Sequence, residues 1–159
     1  MIGAGTFAYR RRLPHLVKAG KTLFVTFCTR DRRELTSQER TLVLNCCVHD
    51  HLATMFLHCV VVMPDHVHLL FRPLRDNNGW AFPLVDIMQC MKGATAHRVN
   101  KLLQRSGPVW QEESFDHVLR SHESLKEKAE YIRQNPVRRG LVKRPEDYRW
   151  LWISPELKV

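Results

Sequence analysis

The stretch Val60-Val61-Val62-Met63-Pro64-Asp65-His66-Val67-His68-Leu69-Leu70-Phe71 constrains the fold more than any other part of the chain. Two apolar segments are separated by Pro64-Asp65, a turn signal. The pattern predicts a tight hairpin between a strand over 55–63 and a strand over 66–71. Residues two apart on a strand share a face. His66 and His68 therefore project together, while Val67, Leu69 and Phe71 point the other way into a core. Two imidazoles side by side on a rigid strand make half of a metal site.

The rest of the chain supplies elements around that hairpin. Residues 22–29 alternate Leu23, Val25 and Phe27 with polar or smaller side chains, as a half-buried strand does. Thr36-Ser37-Gln38-Glu39 has the form of a capping box and opens a helix expected to run to about Leu52. A long helix is expected from near Pro83 to Leu103, with Gly93 as a weak point inside it. A strand is expected over 115–120. Ser124-Leu125-Lys126-Glu127 reads as a second capping box, opening a helix toward Pro136. The order β-α-β-β-α-β-α predicts an α+β fold, a ferredoxin-like antiparallel sheet with helices packed on it.

With 159 residues, a single domain is expected over 1–159, comprising a basic arm over 1–20 and a C-terminal extension over 143–159. The formal net charge of +9 points to a polyanionic partner, with nucleic acid first. No apolar run approaches the roughly 18 residues that span a bilayer, and no membrane partner is expected. The five cysteines are odd in number and form no C-x-x-C pair. They read as buried free thiols in a reducing cytoplasm.

The last predicted helix carries the second half of a site. Leu125, Ala129 and Ile132 lie at helical spacing and form its expected buried stripe. Tyr131 and Asn135 are four apart and share another face. Pro136 disfavours helical geometry at Asn135, so the helix is expected to end there. A phenol and an amide oxygen near two imidazoles would set a nucleophile beside a metal. The bland alternatives are a packing tyrosine and ordinary helix-ending chemistry at Asn135.

The string Met63-Pro64-Asp65-His66-Val67-His68-Leu69-Leu70 resembles the signature of the HUH single-tyrosine transposases. Tyr131-Ile132-Arg133-Gln134-Asn135-Pro136-Val137-Arg138-Arg139-Gly140-Leu141-Val142 resembles that family's tyrosine helix. Lys92-Gly93-Ala94-Thr95-Ala96, Gly107-Pro108-Val109-Trp110-Gln111 and Phe115-Asp116-His117-Val118-Leu119-Arg120 are similar to the REP-associated subgroup. The resemblance covers roughly residues 9–152. Asp65 departs from the family's usual Asn, Gly93-Ala94 from Ser-Phe, and Ser114 from an aromatic.

The resemblance implies an HUH-endonuclease fold whose C-terminal helix bears the tyrosine. It implies a single-stranded DNA endonuclease and strand transferase acting near a hairpin, where Tyr131 forms a covalent 5′-phosphotyrosine link. His66, His68 and Asn135 would hold a divalent ion, Mg²⁺ or Mn²⁺. Lys92, His117 and Arg120 are expected to orient the phosphate or contact the strand, and Arg10, Arg11 and Arg12 to grip the DNA. The closeness to the REP-associated subgroup favours a monomer. Two rivals fit the same charge and element order: a non-catalytic nucleic-acid-binding module, and a metal-dependent hydrolase in which water attacks.

Overall fold

The computed structural model describes residues 20–158, so Arg10, Arg11, Arg12 and nearly all of the expected basic arm lie outside the described residues. Its regular elements are β1 (Leu23–Cys28), α1 (Ser37–His49), β2 (Met55–Val62), β3 (His66–Pro73), α2 (Leu84–Leu103), β4 (Phe115–Val118), α3 (His122–Arg138) and β5 (Leu151–Ile153). The five strands form one sheet in the order β4-β1-β3-β2-β5, with every neighbouring pair antiparallel. The first four strands realise the expected ferredoxin-like arrangement. The fifth is an addition that the sequence reading did not include.

The sheet is covered on both faces by different helices. On one face Leu23, Val25, Phe27, Val67, Leu69 and Phe71 pack with Val43 and Cys47 of α1 and with Ile87, Met88 and Met91 of α2. On the other, Leu70, Val61 and Met63 pack with Ala129 and Ile132 of α3 and with Tyr148. This explains the unbroken Val60–Met63 run, because a central strand buried on both faces cannot alternate with polar residues. A bulge at His58, between Leu57 and Cys59, reverses the strand's parity. Met55 and Leu57 before it and Val60 and Val62 after it therefore reach the same core.

Several boundaries differ from expectation. The capping box at Thr36 and Glu39 forms, but α1 stops at His49 and not near Leu52. The box expected at Ser124 does not start a helix. Ser121 caps α3 instead, accepting from the Ser124 N–H. Helix α2 runs through Gly93 without a break.

The largest correction is at Pro136, which lies inside α3 and does not end it. Proline removes a single amide here, in the last turn, where few helical bonds remain to lose. The turn is then closed by a Schellman motif. The Gly140 N–H donates to Val137 O at 2.9 Å and the Leu141 N–H to Pro136 O at 2.9 Å. Gly140 carries the required left-handed backbone, with φ +70°.

Candidate active site

The hairpin turn aims the two histidines. The Met63 N–H donates to His66 O at 2.8 Å, leaving Pro64 and Asp65 as a two-residue loop. The segment after β1 clamps this loop, with the Thr29 N–H donating to Asp65 O at 2.9 Å and the Leu35 N–H to Pro64 O at 2.6 Å. Asp31 and Arg32 in that segment adopt left-handed backbone with φ near +55°, a costly conformation for side-chain-bearing residues. The outcome is an Arg32 guanidinium that meets both the Asp65 carboxylate, Nε to Oδ2 at 3.0 Å, and the Cys28 Sγ, from Nη1 at 2.7 Å.

Both imidazoles are held at Nδ1. His66 Nδ1 lies 2.7 Å from Asp65 Oδ1, and His68 Nδ1 lies 2.7 Å from Thr26 Oγ1. A ring held through one nitrogen presents the other as a fixed lone pair. The rings sit 4.7 Å apart between centroids, nearly perpendicular. Phe24 stacks on His68 at 5.3 Å.

Burial pushes the pKa of His66 down, with partial compensation from Asp65, and pushes that of His68 well down, reinforced by His66 and by Arg138, Lys128 and Arg139. Both rings are therefore neutral near pH 7, the form that can donate a lone pair to a cation. Burial acts on Asp65 in the opposite sense. Even so, its hydrogen bond to His66 and the neighbouring positive charges hold its carboxyl below the usual range.

Helix α3 crosses this face and brings up the remaining groups. Tyr131 is 41% exposed, its ring 5.7 Å from His68 and 6.0 Å from Phe24, edge-on to both. The Arg138 guanidinium lies over the phenol ring at 4.2 Å and donates from Nη2 to Tyr131 O at 2.7 Å. It thus grips its own helix on either side of the proline. Tyr131 and Asn135 line one cavity of about 330 Å³ with His66, His68, Thr26, Cys28, Arg32, Phe115, Arg138 and Arg139. Asn135 is buried, yet its amide makes no hydrogen bond among the described residues.

This donor set fits a divalent cation. Among the described residues no three His, Cys, Asp or Glu side chains converge as a metal site. A cation here would take two imidazoles from β3, and Asn135 is the neutral oxygen donor that shares their cavity. Two imidazole nitrogens and one amide oxygen would leave positions open for further oxygen donors.

The other expected site residues scatter. His117 is the register partner of Phe24, so it stands on the same face, one strand from the histidines. Arg120 follows β4 at the opposite end of the sheet, where the Leu119 N–H donates to Thr22 O. Lys92 does not line the histidine cavity. Its ammonium donates to Gln111 O at 2.6 Å, Glu112 O at 3.2 Å and Ser114 Oγ at 3.2 Å, and burial pushes its pKa down to about 8. It pins the loop before β4. Sequence reasoning missed Thr26, Cys28, Arg32, Phe115, Arg138 and Arg139 as cavity residues. Only Arg138 carried a usable signal, lying seven residues beyond Tyr131 on the same helix face.

Three comparisons place this architecture among known proteins. The family model for IS200-like transposases matches residues 20–135. A Haemophilus influenzae protein named as a REP-associated tyrosine transposase is 24% identical over 150 residues, spanning 88% of this chain and 84% of that protein. Among solved structures, a REP-associated tyrosine transposase bound to a REP hairpin shares the fold. It has a TM-score of 0.68 at 19% identity, covering 95% of this chain and 82% of its own.

Proposed function

The chain belongs to the IS200-like transposase family, and we propose that it cuts and rejoins single-stranded DNA beside a hairpin, with Tyr131 as the nucleophile. The observation that carries this reading is the shared cavity, in which the exposed Tyr131 faces two buried, neutral imidazoles and a buried amide. Of the other two tyrosines, Tyr148 is buried and its hydroxyl donates to Val62 O at 2.7 Å, which makes it a packing residue. Tyr9 lies outside the described residues.

The Tyr131 oxygen would attack the scissile phosphorus. The bond from phosphorus to the 3′ oxygen breaks, a 5′-phosphotyrosine forms, and the departing 3′ oxygen takes up a proton as the phenol loses its own. Rejoining reverses these bonds with a 3′-hydroxyl as the attacking group, so no external energy source is required. A phenol of ordinary pKa about 10 is a weak nucleophile at neutral pH, and the site must compensate. Arg32, Arg138 and Arg139 line the cavity and can bind the phosphate. His66, His68 and Asn135 would hold a divalent ion, which supplies Lewis-acid polarisation of the phosphate. Tyr131 shares its cavity with His66 and His68 of the same chain, which supports catalysis in cis. The REP hairpin held by the similar solved structure makes an imperfect DNA hairpin the first substrate to try. Incubation with hairpin-bearing single strands and Mn²⁺ should give a covalent adduct on a denaturing gel, whereas strand scission without adduct would favour attack by water.

The Asp65 carboxylate fixes the tautomer and direction of His66, and such outer partners typically change metal affinity by about 10–100-fold. Asp65→Ala, which removes the acceptor, should therefore weaken Mn²⁺ binding by roughly that factor in calorimetry. An unchanged dissociation constant would remove Asp65 from the metal site. Binding of the hairpin should also be salt-sensitive. With about six phosphates contacted, affinity falls about 10²–10³-fold between 50 and 200 mM salt, and a flat response would mean that the +9 charge does not face the DNA.

A further inference from the structure

The two histidines are held by partners of different chemistry. A carboxylate only accepts, so the bond between Asp65 Oδ1 and His66 Nδ1 carries the proton of the His66 ring and leaves Nε2 with its lone pair. The partner of His68 is a hydroxyl, with Thr26 Oγ1 at 2.7 Å from Nδ1. A hydroxyl can accept from that nitrogen or donate to it. The neutral His68 ring can therefore carry its one proton on either nitrogen without breaking the contact.

The register places Thr26 for this role. It stands directly opposite His68 of β3 and Phe115 of β4, and all three side chains line the histidine cavity. Thr26 is half-buried, and its hydroxyl has no other hydrogen-bond partner among the described residues. By contrast, Thr29 donates to Arg33 O at 2.7 Å, Thr41 to Ser37 O at 3.0 Å and Thr95 to Met91 O at 2.8 Å. Valine has the same branched shape and suits a strand at least as well, so packing does not call for the oxygen.

A cation taken by His68 Nε2 requires the ring proton on Nδ1. Thr26 Oγ1 must then accept, and its own O–H is released from the ring. That O–H can turn into the cavity that Thr26 shares with Tyr131, Arg32, Arg138 and Arg139. Guanidinium groups gather phosphate oxygens, and a hydroxyl among them adds a donor without adding charge. The ring stays neutral throughout. Only the nitrogen that bears the proton and the direction of the hydroxyl change.

We propose that Thr26 is a positioning residue that couples metal binding to phosphate binding. It fixes the His68 proton on Nδ1 and, once the cation is held, donates its hydroxyl to an oxygen of the scissile phosphate. The metal-loaded site thus has one phosphate-binding group more than the empty one. The inference deepens the reading of the chain as a DNA-cleaving enzyme and rests on it.

The test uses the full chain carrying Tyr131→Phe, which keeps the bound strand uncut, and adds Thr26→Val or Thr26→Ser to that parent. Calorimetry gives the Mn²⁺ dissociation constant with and without a saturating hairpin that has unpaired flanks. Without DNA, Thr26→Val should weaken Mn²⁺ binding by about tenfold, and Thr26→Ser should stay close to the parent. DNA should tighten Mn²⁺ binding in the parent and in Thr26→Ser. In Thr26→Val that tightening should be about tenfold smaller, the size of one hydrogen bond to a charged group. Nitrogen NMR of the ring in Zn²⁺-loaded protein should show His68 protonated at Nδ1, and this spectrum decides the first half of the proposal even if Thr26→Val fails to fold. A proton on Nε2 in the loaded protein would overturn the proposal, as would equal Mn²⁺ affinity in Thr26→Val and the parent. Thr26→Ser as weak as Thr26→Val would overturn it in favour of packing, and undiminished coupling to DNA in Thr26→Val would overturn the phosphate contact. Wild type forming no adduct with any hairpin strand would instead overturn the DNA-cleaving reading, while the Mn²⁺ affinities without DNA would still report on Thr26 and His68.

Discussion

Tyr131→Phe abolishes the covalent protein–DNA adduct and lowers strand cleavage by at least about 10⁴-fold, a loss of the size seen when a nucleophile is removed. The substitution deletes a single oxygen. The ring keeps its edge contacts with Phe24 and His68 and its place under Arg138, none of which needs the hydroxyl. Stability and hairpin affinity should therefore stay close to wild type. That separation makes the result diagnostic. A water-using hydrolase would keep cutting after Tyr131→Phe, and a pure binding module would never have cut. An adduct surviving in the variant would move the nucleophile elsewhere in the chain.

His68→Ala has the second-largest expected effect. The imidazole is buried, stacked on Phe24 and bonded to Thr26, and it presents its remaining nitrogen toward the cavity. Cleavage should fall by at least about 10²–10³-fold, the range for losing one group that stabilises developing charge. A packing role alone would also reduce activity through lost stability, so a second readout is needed. Mn²⁺ at a hundred times its dissociation constant should stabilise wild type by about 2.7 kcal/mol, and the variant should gain almost nothing from it. Hairpin binding in low salt should persist, because the cations that line the cavity remain. If Mn²⁺ raised the melting temperature of both proteins equally, the ion would bind somewhere other than at the histidines.

The parts of the fold that were legible from the sequence are those governed by short-range rules. Pro64-Asp65 between two apolar runs could only be a tight turn, and alternation about His66, Val67 and His68 decided which side chains face together. The stripe of Leu125, Ala129 and Ile132 placed α3 on the sheet, with Tyr131 and Asn135 on the adjoining face, toward the histidines.

The features that escaped depend on long-range pairing or on competition between local signals. Nothing local in residues 151–153 distinguishes an edge strand from a tail, and that strand exists because β2 offers it an edge. The bulge at His58 follows from register. At Pro136 a rule for isolated helices was outweighed by the closing turn around Gly140, so the helix reached Arg138 and set its guanidinium over the tyrosine. The Arg32 contact with Asp65 and Cys28 needs two consecutive residues in left-handed backbone, which no composition rule would have suggested.

Lys92 and Arg120 show the same limit from the other side. Both lie in strings that match the family, and both are basic, as a DNA contact should be. Yet Lys92, on α2, is engaged by oxygens of the loop before β4. Arg120 lies at the end of the sheet far from the histidines. Charge identifies a class of partner, whereas the register of the sheet decides which charges share a surface.

The central claim is that Tyr131 becomes covalently joined to DNA. Its most direct test is mass spectrometry of proteolysed protein after reaction with a hairpin-bearing single strand and Mn²⁺. The account predicts a nucleotide-modified peptide containing Tyr131, with the link through a 5′-phosphate. Cleaved DNA with every tyrosine unmodified, or a modification on Tyr9 or Tyr148, would contradict it.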